Sequence, residues 1–247
     1  MAPGALREPG AVVVDETRLS RDIRVTAATE DAVQLNRLLT VPGIDRHLQQ
    51  LGEAVLHVLE HRPATAAGSA RGLAASLTAR EWAGDAELAA LLFEVADDRP
   101  SERQRIRADL DGVGDLLEGP PEMGFGGILD CQTGFAWPAA VLDDWAGDGP
   151  PPDPEADPDR YVFIPHVGSR EAWQDMHDFA TDVETGTIRA QLLDAIDGRG
   201  AFTRFRRVLA RHDALQARWY AYSAETRAGR ARDWLAAEGY AAMPPRR

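Results

Sequence analysis

The spacing of apolar residues changes once, at Gly119-Pro120-Pro121 and the glycines at 124, 126 and 127, and this break constrains the fold more than any other feature. Before it, leucines and valines recur every three or four positions, as one face of a helix requires. After it come short β-branched and aromatic runs mixed with further helical stretches. A helical first part followed by a mixed second part belongs to the α+β class. The expected organisation is a mobile N-terminal segment (1–28), a helical layer (29–118), and a region (125–240) in which a small antiparallel sheet of about three strands packs against C-terminal helices.

Local rules fill in the elements. Ala11–Val14 and Asp22–Thr26 are β-prone and suit a small hairpin. Thr29 reads as the N-cap of a helix carrying Val33, Leu35, Leu38 and Leu39. Ile44, Leu48, Leu51, Val55, Val58 and Leu59 share one helical face that stops before Pro63. Ser69–Arg80 and Asp85–Ala96 form a helix pair about Trp82-Ala83-Gly84, and Ser101–Leu117 reads as one more helix. Downstream, Ile128–Asp130 and Phe135–Trp137 make a hairpin in which Asp130 caps the turn and Gly134 takes positive φ, with Tyr161–Ile164 as a third strand. Helices are expected near 169–182, 187–196 and 201–211, with one or two more over 213–237, and Phe202, Phe205, Trp219 and Trp234 as core.

Composition excludes several classes. The longest apolar run, Leu88–Phe93, falls far short of the ~18 residues that a membrane span needs. The first residues lack a basic stretch followed by an apolar one, so a cytoplasmic location is expected, with no membrane partner. The single cysteine, Cys131, rules out an internal disulfide or a thiolate zinc cluster and reads as a small buried apolar group.

All 27 basic residues are arginine, against 40 acids, and they are unevenly placed: residues 188–247 hold 12 arginines and 6 acids, whereas the rest of the chain is strongly acidic. Such asymmetry marks a surface suited to anions.

A set of motifs gives the C-terminal half a family likeness. Leu129-Asp130-x-x-Thr133-Gly134, Tyr161-Val162-Phe163-Ile164-Pro165, Met176-x-x-Phe179, Gly198-Arg199-Gly200-Ala201-Phe202-x-x-Phe205-Arg206, Trp219-Tyr220 and Trp234-Leu235 together resemble uncharacterised protein family 0158 of bacteria, over roughly residues 80–240. The resemblance implies a fold neighbourhood and supplies no catalytic residues. Cys131 and His177 depart from the family pattern, which argues against a catalytic role for either.

The leading functional reading is a non-catalytic binding or regulatory module. Arg204, Arg207 and Arg211 recur along one side of the Ala201–Arg211 helix, with Arg199 before it. Guanidinium groups so placed can grip phosphates or carboxylates in bidentate fashion, and Trp219 and Tyr220 can stack. The expected partner is an acidic protein or a nucleic acid.

An alternative is an enzyme acting on a small anionic substrate through Asp130, His166, His177 or Asp178, and another is a structural oligomer partner with an exposed apolar patch. No cofactor and no metal site are expected. His57 and His61, spaced i and i+4 with Glu53 one turn earlier, read as a solvated polar face. Asp153, Glu155, Asp157 and Asp159 alternate as calcium ligands do, but the segment from Asp143 to Asp159 has seven acids and five prolines and reads as an extended acidic loop. That loop is a candidate competitor for the arginine face.

Overall fold

The computed structural model describes residues 15–119, 126–143, 145, 147, 151–183 and 186–245. The fold is α+β, as expected. The N-terminal layer comprises α1 (Glu16–Thr29), α2 (Ala32–Leu38), a 3-10 turn (Ile44–His47), α3 (Leu48–His61), α4 (Pro63–Arg80) and α5 (Asp85–Ala96). It encloses a core of aliphatic residues centred on Leu51, Val55, Leu73 and Leu88, all fully buried.

Three expectations fail here. Residues 22–26 are not a strand and the first 28 residues are not all loose; Ala11–Val14 lies outside the described residues. Asp15 caps α1 by accepting the Arg18 N–H at 2.9 Å, and Leu19, Ile23, Thr26 and Ala27 are buried at helical spacing. Burial of that face outweighs the β-propensity of Ile23-Arg24-Val25-Thr26. Thr29 ends α1 rather than starting the next helix. Asp31 is the N-cap of α2, accepting Val33 and Gln34 N–H at 3.0 Å each, after Glu30 turns the chain with a left-handed φ of 51°.

The stretch 101–117 also differs. It holds β1 (Gln104–Arg107) and α6 (Leu110–Glu118), the latter capped by Asp109. β1 pairs in parallel with β5 (Tyr240–Met243), a partner from the far end of the chain that no local pattern reveals.

Beyond 126 the chain forms β2 (Gly127–Asp130), β3 (Ala136–Pro138), the short α7 (Ala139–Asp143) and β4 (Tyr161–Ile164). The sheet is antiparallel in the order β3-β2-β4, as expected. The hairpin turn is also as read: Asp130 Oδ1 accepts the Gln132 and Thr133 N–H groups, and Gly134 has φ 83°. Leu129 lies opposite Ala136 and Val162 on the face turned to the core. Ile128 lies between Trp137 and Phe163 on the other face.

The last helices are α8 (Arg170–Asp182), α9 (Thr187–Ile196), α10 (Ala201–Leu209) and α11 (Asp213–Ala237). α11 is the axis of the molecule: Trp219 joins the core under α8 and α10, while Ala231 and Leu235 join the core under the sheet and α6. Where α11 crosses the start of α5, backbone meets backbone. A β-carbon on Gly229 would lie 2.2 Å from Ala83 O, and one on Gly84 would lie 2.1 Å from Gly229 O. Only glycine admits that approach.

Candidate functional site

The Gly198-Arg199-Gly200 turn joins α9 to α10, with both glycines at positive φ near 75°. From the first turns of α10, Arg204 reaches back across it. Its Nε donates to Ala195 O at 3.1 Å, and its terminal nitrogens donate to the carbonyls of Asp197, Gly198 and Arg199. Trp173 Nε1 donates to Ile196 O at 3.1 Å. Arg204 therefore satisfies the orphan carbonyls at the C-terminus of α9 and is not part of an open stripe.

Arg199, Arg207 and Arg211 are exposed and make no ion pair with any described residue, and Arg206 joins them. None of Asp153, Glu155, Asp157 and Asp159 pairs with them either.

Beside this face lies a cleft of about 640 Å³ between α6, α8, α10 and α11, with Phe202, Thr203, Arg206 and Tyr220 at its border. Phe202 and Tyr220 are exposed, so the expectation that Phe202 belongs to the core is corrected. Phe205 and Trp219 are buried beneath. Trp219 stands edge-on to Phe179 and Phe205 at centroid distances of 5.2 and 4.9 Å. It is thus core, and Tyr220 alone of the pair can stack on a ligand. Trp234 is half-buried in the neighbouring cluster under the sheet.

The deep wall is polar. Arg230 grips Glu118 at 2.5 and 2.7 Å and Asp175 at 2.8 and 3.0 Å, partners that hold its pKa well above the usual arginine value despite burial. Arg227 pairs with Asp115 through one nitrogen, while its buried Nε has no acceptor.

The four residues of the enzyme reading are not assembled. Asp130 is bound to Arg160 in the hairpin turn, His166 Nε2 contacts Gly119 O beyond the opposite end of β4, and His177 and Asp178 stand exposed on α8. None of them lines the cleft. Cys131 is buried, which together with Asp130 pushes its thiol up to about 11 and keeps it protonated. On the outer sheet face Phe163 is 60% exposed and Phe135 packs on Trp137 at 4.4 Å.

Residues 152–243 match the model of Uncharacterised protein family (UPF0158). The resemblance holds over this segment. A UPF0158 protein of Pseudomonas aeruginosa, PA5073, is 32% identical over 90 residues, which are 34% of this chain and 59% of that protein. The chain thus spans somewhat over half the length of that relative. No solved structure matches. The UPF0158 segment contains β4, α8 to α11 and β5, and so three of the four helices around the cleft. The hairpin, and with it residues 80–151 of the expected likeness, lies outside the matched span. Among the described residues no helix is long and apolar enough to cross a membrane.

Sequence reading missed a second polar cavity, about 310 Å³, where Glu16, His47, Glu53, Asp109 and Asp111 meet between α1, α3, α6 and α11. These residues are distant in sequence, so no spacing signals the site. His47 Nε2 and Arg46 hold Glu16, whose carboxyl titrates below its ordinary value.

Glu53 behaves oppositely. The accessible part of its side chain, 36%, opens into the cavity, and burial raises its pKa to about 7 against the opposing pull of Arg232 at 3.6 Å. A carboxyl with a raised folded-state pKa stabilises the fold at low pH, and the benefit is lost as pH climbs from 4.5 through 7. Glu53→Gln should remove that slope. At pH 8 it should be the more stable protein by on the order of 1 kcal/mol, a figure reduced for the solvated part of the side chain, and near pH 5 the gain should vanish. Urea unfolding of both proteins from pH 5 to 8 checks this; parallel curves would show that Glu53 ionises freely.

Proposed function

We propose that the chain is a non-catalytic, cytoplasmic binding or regulatory module that takes an acidic protein segment along the exposed face of α10 and into the adjoining cleft. The observation that carries this reading is the cluster Arg199, Arg206, Arg207 and Arg211. These guanidinium groups have no ion-pair partner among the described residues, although the chain has 40 acids for 27 arginines. Exposed Phe202 and Tyr220 border the cleft next to Arg206, and arginine beside aromatic side chains is the composition of a binding hot spot. Arg227 Nε adds a donor in want of an acceptor.

A protein segment suits this surface better than a nucleic acid. Asp115, Glu118 and Asp175 stand in the same wall, and the net charge of −13 repels a continuous polyanion. A segment that alternates acidic and apolar side chains meets the arginines at the border and seats its apolar groups against Phe202 and Tyr220.

The double substitution Arg206→Glu with Arg207→Glu is expected to weaken such binding at least tenfold while leaving the far-UV spectrum unchanged, because neither side chain supports the fold. The check is recovery of nuclease-resistant protein partners from the native lysate by the wild type and the variant, at low and high salt. Recovery that the variant matches would exclude this face. Recovery that nuclease abolishes would make the ligand a nucleic acid.

A further inference from the structure

Two histidines and a glutamate from different helices meet at the open end of the N-terminal layer. His57 and His61 lie i and i+4 on the last turns of α3, with ring centroids 5.0 Å apart. The carboxylate that joins them is not Glu53, which points into the polar cavity, but Glu30, delivered by the left-handed turn that ends α1. Glu30 Oε1 lies 3.5 Å from His61 Nδ1, and one ligand atom from each of the three residues lies within 4.8 Å of the others.

We infer that Glu30, His57 and His61 form a site for one divalent transition-metal ion of the zinc class. Around zinc, bonds of about 2.0–2.2 Å place tetrahedral ligand atoms roughly 3.3 Å apart, so side-chain rotations of about 1 Å complete the set. Two imidazoles and one carboxylate prefer zinc, nickel or copper to magnesium or calcium, which take oxygen ligands.

The surroundings suit a metal centre. Arg62 Nε holds the other Glu30 oxygen at 3.1 Å and orients the carboxylate, as outer partners of metal ligands do. The cluster lines a groove of about 640 Å³ that also contains Glu60 and Arg107, which pair with each other. With three protein ligands, the fourth position opens onto that groove. The bound ion would tie the end of α1 to the end of α3.

The test is titration of the untagged, chelator-treated full chain with zinc sulfate by calorimetry, paired with thermal unfolding. One zinc per chain is expected, with Kd on the order of 10 μM or below. Free zinc at about 100 times Kd should raise the unfolding midpoint by about 5–10 °C. His57→Ala with His61→Ala should abolish both effects, and Glu30→Gln should weaken binding at least tenfold. Both variants should keep the metal-free midpoint within about 2 °C, since His61 is exposed and Glu30 and His57 are only half-buried. Absence of saturable binding, or binding unchanged in the double variant, overturns the site. Full affinity in Glu30→Gln overturns it as well, because two histidines on one helix would then account for everything.

Discussion

Glu225→Ala should cost about 3–5 kcal/mol of unfolding free energy and lower the midpoint by about 10 °C. Glu225 is 3% exposed in the middle of α11, and its carboxylate does two things. It accepts the N–H groups of Gln49 and Gln50, at the N-terminus of α3, where His47 offers no side-chain cap. It also pairs with Arg80 at 2.8 Å, a guanidinium that is 9% exposed, bound to Asp85 and stacked 4.4 Å above Trp82.

Alanine would leave two helix-end donors without an acceptor and Arg80 with part of its charge uncompensated, each a buried desolvation penalty. Because the groups are enclosed, 1 M salt should recover little of the loss, whereas the exposed pair Arg71–Asp97 should contribute below about 1 kcal/mol and fade in salt. Urea unfolding at low and high salt measures both. A loss under 1 kcal/mol for Glu225→Ala would mean that water replaces the carboxylate at the α3 terminus.

That junction also shows where sequence reading stops. α3 and α5 are legible because each carries apolar residues at helical spacing, and the hairpin because Asp130 and Gly134 satisfy a local turn, whereas α11, which buries Glu225 and Arg232 along with Trp219 and Leu235, shows no such face. The β1–β5 pairing was illegible: four residues with one buried side chain give no periodic signal, and their partner is remote. Ile23, Val25 and Thr26 mislead because β-branching favours a strand, whereas the core buries Ile23 and Thr26 at helical spacing.

The candidate site divides on the same line. Its arginine cluster and aromatic residues could be named from the α10 and α11 sequence. The capping role of Arg204 depends on how α9 folds back, and the meeting of Glu30 with His57 on the reversal at Glu30-Asp31. Residues whose partners lie within one helix turn were readable. Those whose partners are set by chain reversal or by α11 crossing the N-terminal layer were not.

The two phenylalanines of α10 should separate the fold from the site. Phe205 is fully buried, edge-on to Trp219 at 4.9 Å and to Phe179 at 6.3 Å. Phe205→Ala opens a cavity in a cluster that holds α8, α10 and α11 together, with an expected cost of about 3–5 kcal/mol. Phe202, three residues earlier, is 38% exposed at the border of the cleft. Phe202→Ala should cost less than about 1 kcal/mol of stability. If the cleft receives the apolar side chains of a partner, the same substitution should weaken partner recovery several-fold, because it removes an anchor beside Arg206.

Chemical denaturation and lysate recovery, run on both variants, read the two effects separately. Phe205→Leu is the control for the first, since it keeps most of the volume and should recover more than half of the loss. Equal destabilisation by Phe202→Ala and Phe205→Ala would mean that the outer side of α10 is covered in solution. Unchanged recovery by Phe202→Ala would confine binding to the arginines and leave the cleft out of it.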